Sequence, residues 1–174
     1  MLKAIIFSTA LCASFFTHAA EDHLIHLVNE RLSYMKDVAG SKALNHQPIE
    51  DLLQEEKVLE TTLSQATKKG IDPISLRPFI VAQMDAAKAI QYRYRADWLA
   101  QPEMNWQPED LNQVRTHISK LSAEIIDSIA DELYKIGNLD HYSDESYMEF
   151  LNHKNLSRTD KSLLLRTLSQ IRLK

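Results

Sequence analysis

Leu24-Ile25-His26-Leu27-Val28-Asn29-Glu30-Arg31-Leu32-Ser33-Tyr34-Met35-Lys36-Asp37-Val38-Ala39-Gly40-Ser41-Lys42 decides how this chain folds. Leu24, Val28, Met35 and Val38 recur with the alternating spacing of four and three that marks a helix stripe facing other helices. Arg31 and Lys42 occupy the same register. They lie eleven residues apart, which at about 100° per residue returns them to within roughly 20° of each other. One inward stripe therefore carries two cations. Burying an unpaired charge is costly. Either both heads reach out to solvent along their apolar stems, or an anion belongs between the helices.

On the N-terminal side, Met1 to about Ala20 reads as a secretory signal peptide. Lys3 is its positive start, Ala4 to Phe16 its apolar stretch, and Thr17-His18-Ala19-Ala20 the small-residue site for cleavage after Ala19 or Ala20. The expected destination is the periplasm or the medium. No stretch approaches the roughly 20 apolar residues of a membrane span. Cys12, the only cysteine, falls inside the signal, so the mature chain is expected to hold no disulfide, thiolate metal site or cysteine nucleophile. About 155 residues remain, enough for one domain over 21–174 with its own core. A net charge of -4 points to neither nucleic acid nor anionic lipid. Three glycines leave no material for a phosphate-binding loop.

The mature chain reads as all-α, a bundle of about six helices. The first is expected over about 22–45, stopped before Pro48. The second runs over about 49–69, with Gly70 as its stop. Asp72-Pro73 reads as the cap and first residue of a third helix reaching about Ala100, with Pro78 inside it. Its stripe is Ile80, Met84, Ala87, Gln91, Tyr94 and Trp98. A fourth spans about 109–136, with Val114, Ile118, Leu121, Ile125, Ile129 and Leu133 inward and Gly137-Asn138 ending it. Shorter helices are expected near 144–151 and 158–173, the last opened by the capping-box-like Ser157-Arg158-Thr159-Asp160. The motif-bearing core is 21–101; 102–174 supplies the C-terminal helices.

The polar residues in the apolar stripes are Arg31, Lys42 and Gln91. Asp51 and Glu55 follow Pro48 one turn apart; they either edge a cationic pocket or serve the first turn of their own helix. The histidines are scattered and do not form the compact set a zinc ion requires. Tyr92, Tyr94 and Trp98 read as packing aromatics.

Several segments together resemble the secreted, gamma-type all-helical chorismate mutases: Asn29-Glu30-Arg31-Leu32, Lys36-Asp37-Val38-Ala39, Lys42, Pro48-Ile49-Glu50-Asp51, Val58-Leu59 and Met84 through Tyr94. The resemblance is clear over about 27–98 and looser beyond. It implies an isomerase that rearranges chorismate, a dianion, to prephenate without a cofactor or a metal. The protein holds the reactive conformer and stabilises charge as the ether bond breaks. By the same resemblance, Arg31 binds a carboxylate, Lys42 reaches the ether oxygen and a carboxylate, and Gln91 donates to the ether oxygen. Asp51 and Glu55 lie near the ring hydroxyl, while Gln54, Lys88 and Arg115 are further substrate-binding candidates. A homodimer is implied as well. Gln54 stands where the family carries arginine, and Ala87 where it carries serine or threonine. The C-terminal substrate-binding arginine aligns with Glu124, Arg115 being the nearest cation. These departures leave open an alternative, a weakly active or inactive relative that binds a small dianion. A secreted helical interaction module, with the stripe cations paired to Asp51 or Glu55, is the remaining reading.

Overall fold

The computed structural model describes residues 14–174, with side chains from residue 23 onward; most of the expected signal peptide, including Cys12, lies outside the described residues. α1 spans Ser14–Ser33 and α2 Met35–Leu44. The single first helix expected from the sequence is therefore two, parted at Tyr34, where neither proline nor glycine stands. Ser33 turns its hydroxyl back to donate to the Glu30 carbonyl at 2.7 Å, a bond that competes with the backbone ladder and bends helices. Tyr34 follows with ψ of -8°, flatter than the α-helical value.

α2 closes with two backbone bonds, from the Gln47 N–H to the Lys42 carbonyl at 2.8 Å and from the His46 N–H to the Ala43 carbonyl at 3.1 Å. This closure requires a left-handed residue, normally glycine; here it is His46, at φ 52°, at a cost of about 1 kcal/mol. α3, Leu52–Lys68, starts on Asp51, whose carboxylate accepts the Gln54 N–H at 3.2 Å. It ends at Gly70, φ 78°. α4, Pro73–Ala100, is capped by Asp72 on the N–H groups of Ile74 and Ser75 and runs on through Pro78. α5, Leu111–Ile136, has Asp110 as cap and left-handed Gly137 as stop.

The C-terminal region departs from expectation twice. The helix foreseen near 144–151 is a pair of 3-10 turns, Asp140–Ser143 and Glu145–Glu149. Asp144 separates them in an extended conformation and accepts the Ser146 N–H, so the chain re-starts rather than propagating an α-helix. α6, Arg158–Ser169, has the full Ser157/Asp160 capping box but stops short of Leu173. The residues after it pair with the α3–α4 connection: Ile71 bridges Leu173, Asp72 N–H donates to the Arg172 carbonyl at 2.9 Å, and Lys174 N–H to that of Gly70 at 3.0 Å. An extended tail satisfies these backbone groups where a continued helix would not.

α1 packs on α5, α2 on α4, α3 across α4 and α5, and α6 on α4 and the 3-10 turns. Leu24, Leu32, Phe79, Ile90 and Ile129 are fully buried, each contributing about 1.5–3 kcal/mol. Among the described residues no helix is long and apolar enough to cross a membrane.

A ladder of stacked rings, Tyr94 on Trp98 and Trp98 on Trp106, each pair 5.5 Å apart, fastens the 101–110 loop over α2. Lys36 adds a contact over the Trp106 ring at 4.3 Å and an ion pair with Glu103 at 2.6 Å. Gly40 lies under Trp106, and a Cβ there would come within 2.6 Å of the ring. Gly40→Ala should therefore destabilise the protein by about 1 kcal/mol. The overpacking term of about 1–3 kcal/mol exceeds the roughly 1 kcal/mol that alanine returns in helix propensity. Urea unfolding followed by tryptophan fluorescence checks this, with a shifted native emission maximum as the local signature.

Candidate active site

One cavity opens where α1, α2, α3, α4 and α5 meet, with about 690 Å³ of empty space counting its mouth to solvent, within the usual range for small-molecule sites. Arg31 comes from α1, Met35, Val38 and Lys42 from α2, and Ile49 and Asp51 from the connection that follows. Gln54, Glu55 and Val58 belong to α3, Met84, Ala87, Lys88 and Gln91 to α4, and Arg115 and Ile118 to α5. The structure thus brings Arg31, Lys42, Asp51, Gln54, Glu55, Lys88, Gln91 and Arg115 around one space. Four cations against two carboxylates give the lining a net charge of +2.

Arg31 is 7% exposed and, among the described residues, faces no carboxylate within ion-pair distance. Its Nε donates to the Ser122 hydroxyl at 3.0 Å, and that hydroxyl donates onward to the Ile118 carbonyl at 2.7 Å. Nη1 is buried without a protein partner. Burial pushes the guanidinium pKa down to about 10. It stays charged at neutral pH, and holding it so costs roughly 3 kcal/mol.

Lys42, also 7% exposed, donates to the Ile49 carbonyl. Burial lowers its pKa below the ordinary lysine value, with Arg115 and Arg95 acting in the same direction and Asp51 and Glu55 opposing. Its ammonium has two further donors to offer. Lys88 is already engaged, with Glu55 at 2.9 Å and Asp85 at 3.1 Å. Desolvation works against its charge, but the bonds to those two carboxylates raise its pKa.

Gln91, 5% exposed, donates its amide to the Ala87 carbonyl at 3.2 Å and to the Met35 sulfur at 3.6 Å. A thioether is a weak acceptor, so a better one can displace it. The Gln91 carbonyl oxygen has no protein partner. Asp51 and Glu55 do both things their sequence allowed. They edge the cavity, and they close the start of α3, the Asp51 N–H donating to Glu55 Oε1 at 3.2 Å.

Arg115 stands at the rim, 3.9 Å from Asp51, its side chain 43% exposed. Glu124, the residue the alignment put in that role, is elsewhere. It pairs with Lys120 at 3.5 Å and lines a separate groove with His23 and Asp127. The two lie nine residues apart on α5, half a turn out of phase at about 100° per residue. Ser122, which orients Arg31, carried no sequence signal beyond its place on the inner face of α5. Tyr94 is buried as a packing aromatic, but Tyr92 is 50% exposed and its hydroxyl donates to Glu50.

A helical bundle with one solvent-open cavity of this charge is built to take a small anion. The profile of the family described as Chorismate mutase type II matches residues 18–92. The secreted chorismate mutase of Yersinia pestis is 49% identical over 85% of this chain and 80% of its own. The monofunctional chorismate mutase of Enterobacter agglomerans is 39% identical over 97% and 95%. A crystal structure of the Yersinia pestis secreted enzyme superposes with a TM-score of 0.79 at 47% identity, covering 87% of this chain and 98% of that one. This chain belongs to the chorismate mutases.

Arg31→Met should make the ligand-free protein more stable by about 2 kcal/mol. The roughly 3 kcal/mol desolvation cost disappears, while the Ser122 bond, worth about 1 kcal/mol, is lost. The same variant should lose binding of small dicarboxylates. Thermal unfolding and calorimetric titration measure the two opposed effects.

Proposed function

We propose that this cavity binds chorismate and rearranges it to prephenate, and that Arg31, Lys42 and Gln91 carry the reaction. The observation that carries the reading is a pair of buried cations, Arg31 and Lys42, in one cavity, the first without a carboxylate partner among the described residues. The reaction breaks an ether C–O bond and forms a C–C bond within one molecule. It calls for no nucleophile, proton shuttle or cofactor, only a held conformer and stabilisation of the charge gathering on the ether oxygen. Arg31 takes one carboxylate. Lys42, turning a free N–H into the cavity, serves the ether oxygen and the second carboxylate, and Gln91 adds a donor to the ether oxygen. Met35, Val38, Val58 and Ile118 wall the space with apolar surface that keeps water from those contacts. Asp51 and Glu55 suit the ring hydroxyl, with Gln54, Lys88 and Arg115 at the rim.

Export follows from the signal-like N-terminus and the secreted relatives, with cleavage after Ala19 or Ala20 leaving 21–174 as the working domain. A homodimer belongs to the same reading. The direct test is chorismate loss and prephenate formation by the purified mature protein; tight dicarboxylate binding without turnover would leave a binding protein instead.

Two outcomes follow for the site. The kcat/KM profile should have no sharp feature near neutrality and should fall on the alkaline side. Lys42 loses its proton below the ordinary lysine pKa and Arg31 near 10, and kcat/KM reports the free enzyme's groups. A steady-state series across pH 6–11 measures it. Gln54 is exposed at the rim beside Arg115. Gln54→Arg therefore adds a screened cation with a like-charged neighbour, and kcat/KM should rise by about threefold to tenfold. An equal gain in affinity for a bicyclic dicarboxylate analogue, with kcat unchanged, would mark the contact as uniform binding.

A further inference from the structure

Arg31 lines both the main cavity and a second, narrow one. This second space is lined by Arg31, Val58, Thr62, Ile80, Gln83, Ser122 and Ile125 and offers about 10 Å³ for a water's centre, the size at which a cavity admits a single water. Two residues of this lining each hold a buried polar atom without a protein partner, Arg31 Nη1 and Gln83 Oε1. One is a donor that cannot deprotonate at neutral pH and the other is an acceptor. Gln83 is 3% exposed. Leaving both groups unmade would be costly, yet their residues line one narrow space and no direct bond joins them. Thr62 Oγ1, whose proton goes to the Val58 carbonyl at 2.8 Å, keeps a lone pair for the same space.

We infer that Gln83 is a positioning residue for Arg31. One water in the narrow cavity accepts from Nη1 and donates to Gln83 Oε1 and to Thr62 Oγ1. With Nε held by Ser122 and Nη1 by this water, two of the three guanidinium nitrogens are fixed from behind. Nη2 is left to meet the guest in the main cavity. The fork is thereby aimed before an anion arrives, which reduces the ordering cost of binding. The kinetic consequence rests on the mutase reading above; the pairing of Gln83 with Arg31 does not.

The test uses Gln83→Met and Gln83→Glu. Gln83→Met keeps the length and removes the acceptor. It should lower kcat/KM about tenfold, mostly through KM, with Tm unchanged or higher. Gln83→Glu places a carboxylate behind the guanidinium, turning Arg31 inward, and should lower kcat/KM further while raising Tm. Kinetic constants within twofold of the parent in both variants would overturn the inference and make Gln83 a packing residue. A readout independent of turnover is the Tm gain of Gln83→Glu, measured in the parent and in an Arg31→Met background. The gain should appear only where Arg31 is present; equal shifts in both backgrounds overturn the pairing. If the parent does not convert chorismate, the functional reading fails while this thermal cycle still decides the pairing.

Discussion

Burying the Arg31 guanidinium with a serine hydroxyl, rather than a carboxylate, as its protein partner is the constraint around which the site is arranged. A buried arginine is ordinarily paired. Here the charge is held at a cost of roughly 3 kcal/mol, an appreciable share of the 5–15 kcal/mol that keeps a domain folded. The rest of the bundle has to tolerate that cost. It does so with apolar packing between α1 and α5 around the Arg31–Ser122 bond, where Leu24, Val28, Ile125 and Ile129 are all buried. Stability is given up to keep a cation without a carboxylate partner inside the bundle.

Lys42 depends on a different device. It sits at the last turn of α2, where the chain must reverse tightly so that the Ile49 carbonyl comes back to the ammonium. The reversal forces His46 into the left-handed region. Arg95 donates to the Gln47 carbonyl at 2.8 Å and Tyr92 reaches Glu50, so α4 clasps the turn from outside. Local strain next to a functional group, held by its surroundings, is the pattern expected where geometry matters more than stability. The two cations are thus presented by different means: Arg31 from mid-bundle with support behind it, Lys42 from a helix end with support beside it.

The carboxylates temper the charge rather than cancel it. Glu55 takes up Lys88, and Asp51 closes α3 while lying 3.9 Å from Arg115. Among the cations lining the cavity, Arg31 and Lys42 are the two whose direct protein partners are neutral. A guest with two negative charges would find its strongest, least screened attraction deep in the cavity, where the dielectric is low, and weaker attraction at the rim. Gln54, exposed at the rim, stands where that attraction is weaker and more screened.

Helix periodicity was enough to place Gln91 on the inner stripe of α4 and the caps Asp72, Ser157 and Gly137 at their helix ends, because rotation of about 100° per residue and the needs of helix termini are local properties; Arg31 and Lys42 read as one stripe of a single helix, whereas they reach the cavity from two, parted at Tyr34. The segments around Arg31, Lys42 and Gln91 were also distinctive enough to suggest the family. What the sequence could not supply was the relation between helices. That Arg115 rather than Glu124 reaches the cavity depends on how α5 is rotated against α3. That Ser122 and Gln83 stand behind Arg31 depends on where α1, α4 and α5 meet along their lengths. The break at Tyr34, the 3-10 turns of 140–149 and the extended tail after Ser169 are likewise settled by competing hydrogen bonds, two of them made with residues remote in the chain. Helix periodicity fixes which face a side chain occupies; the packing of whole helices decides what that face meets.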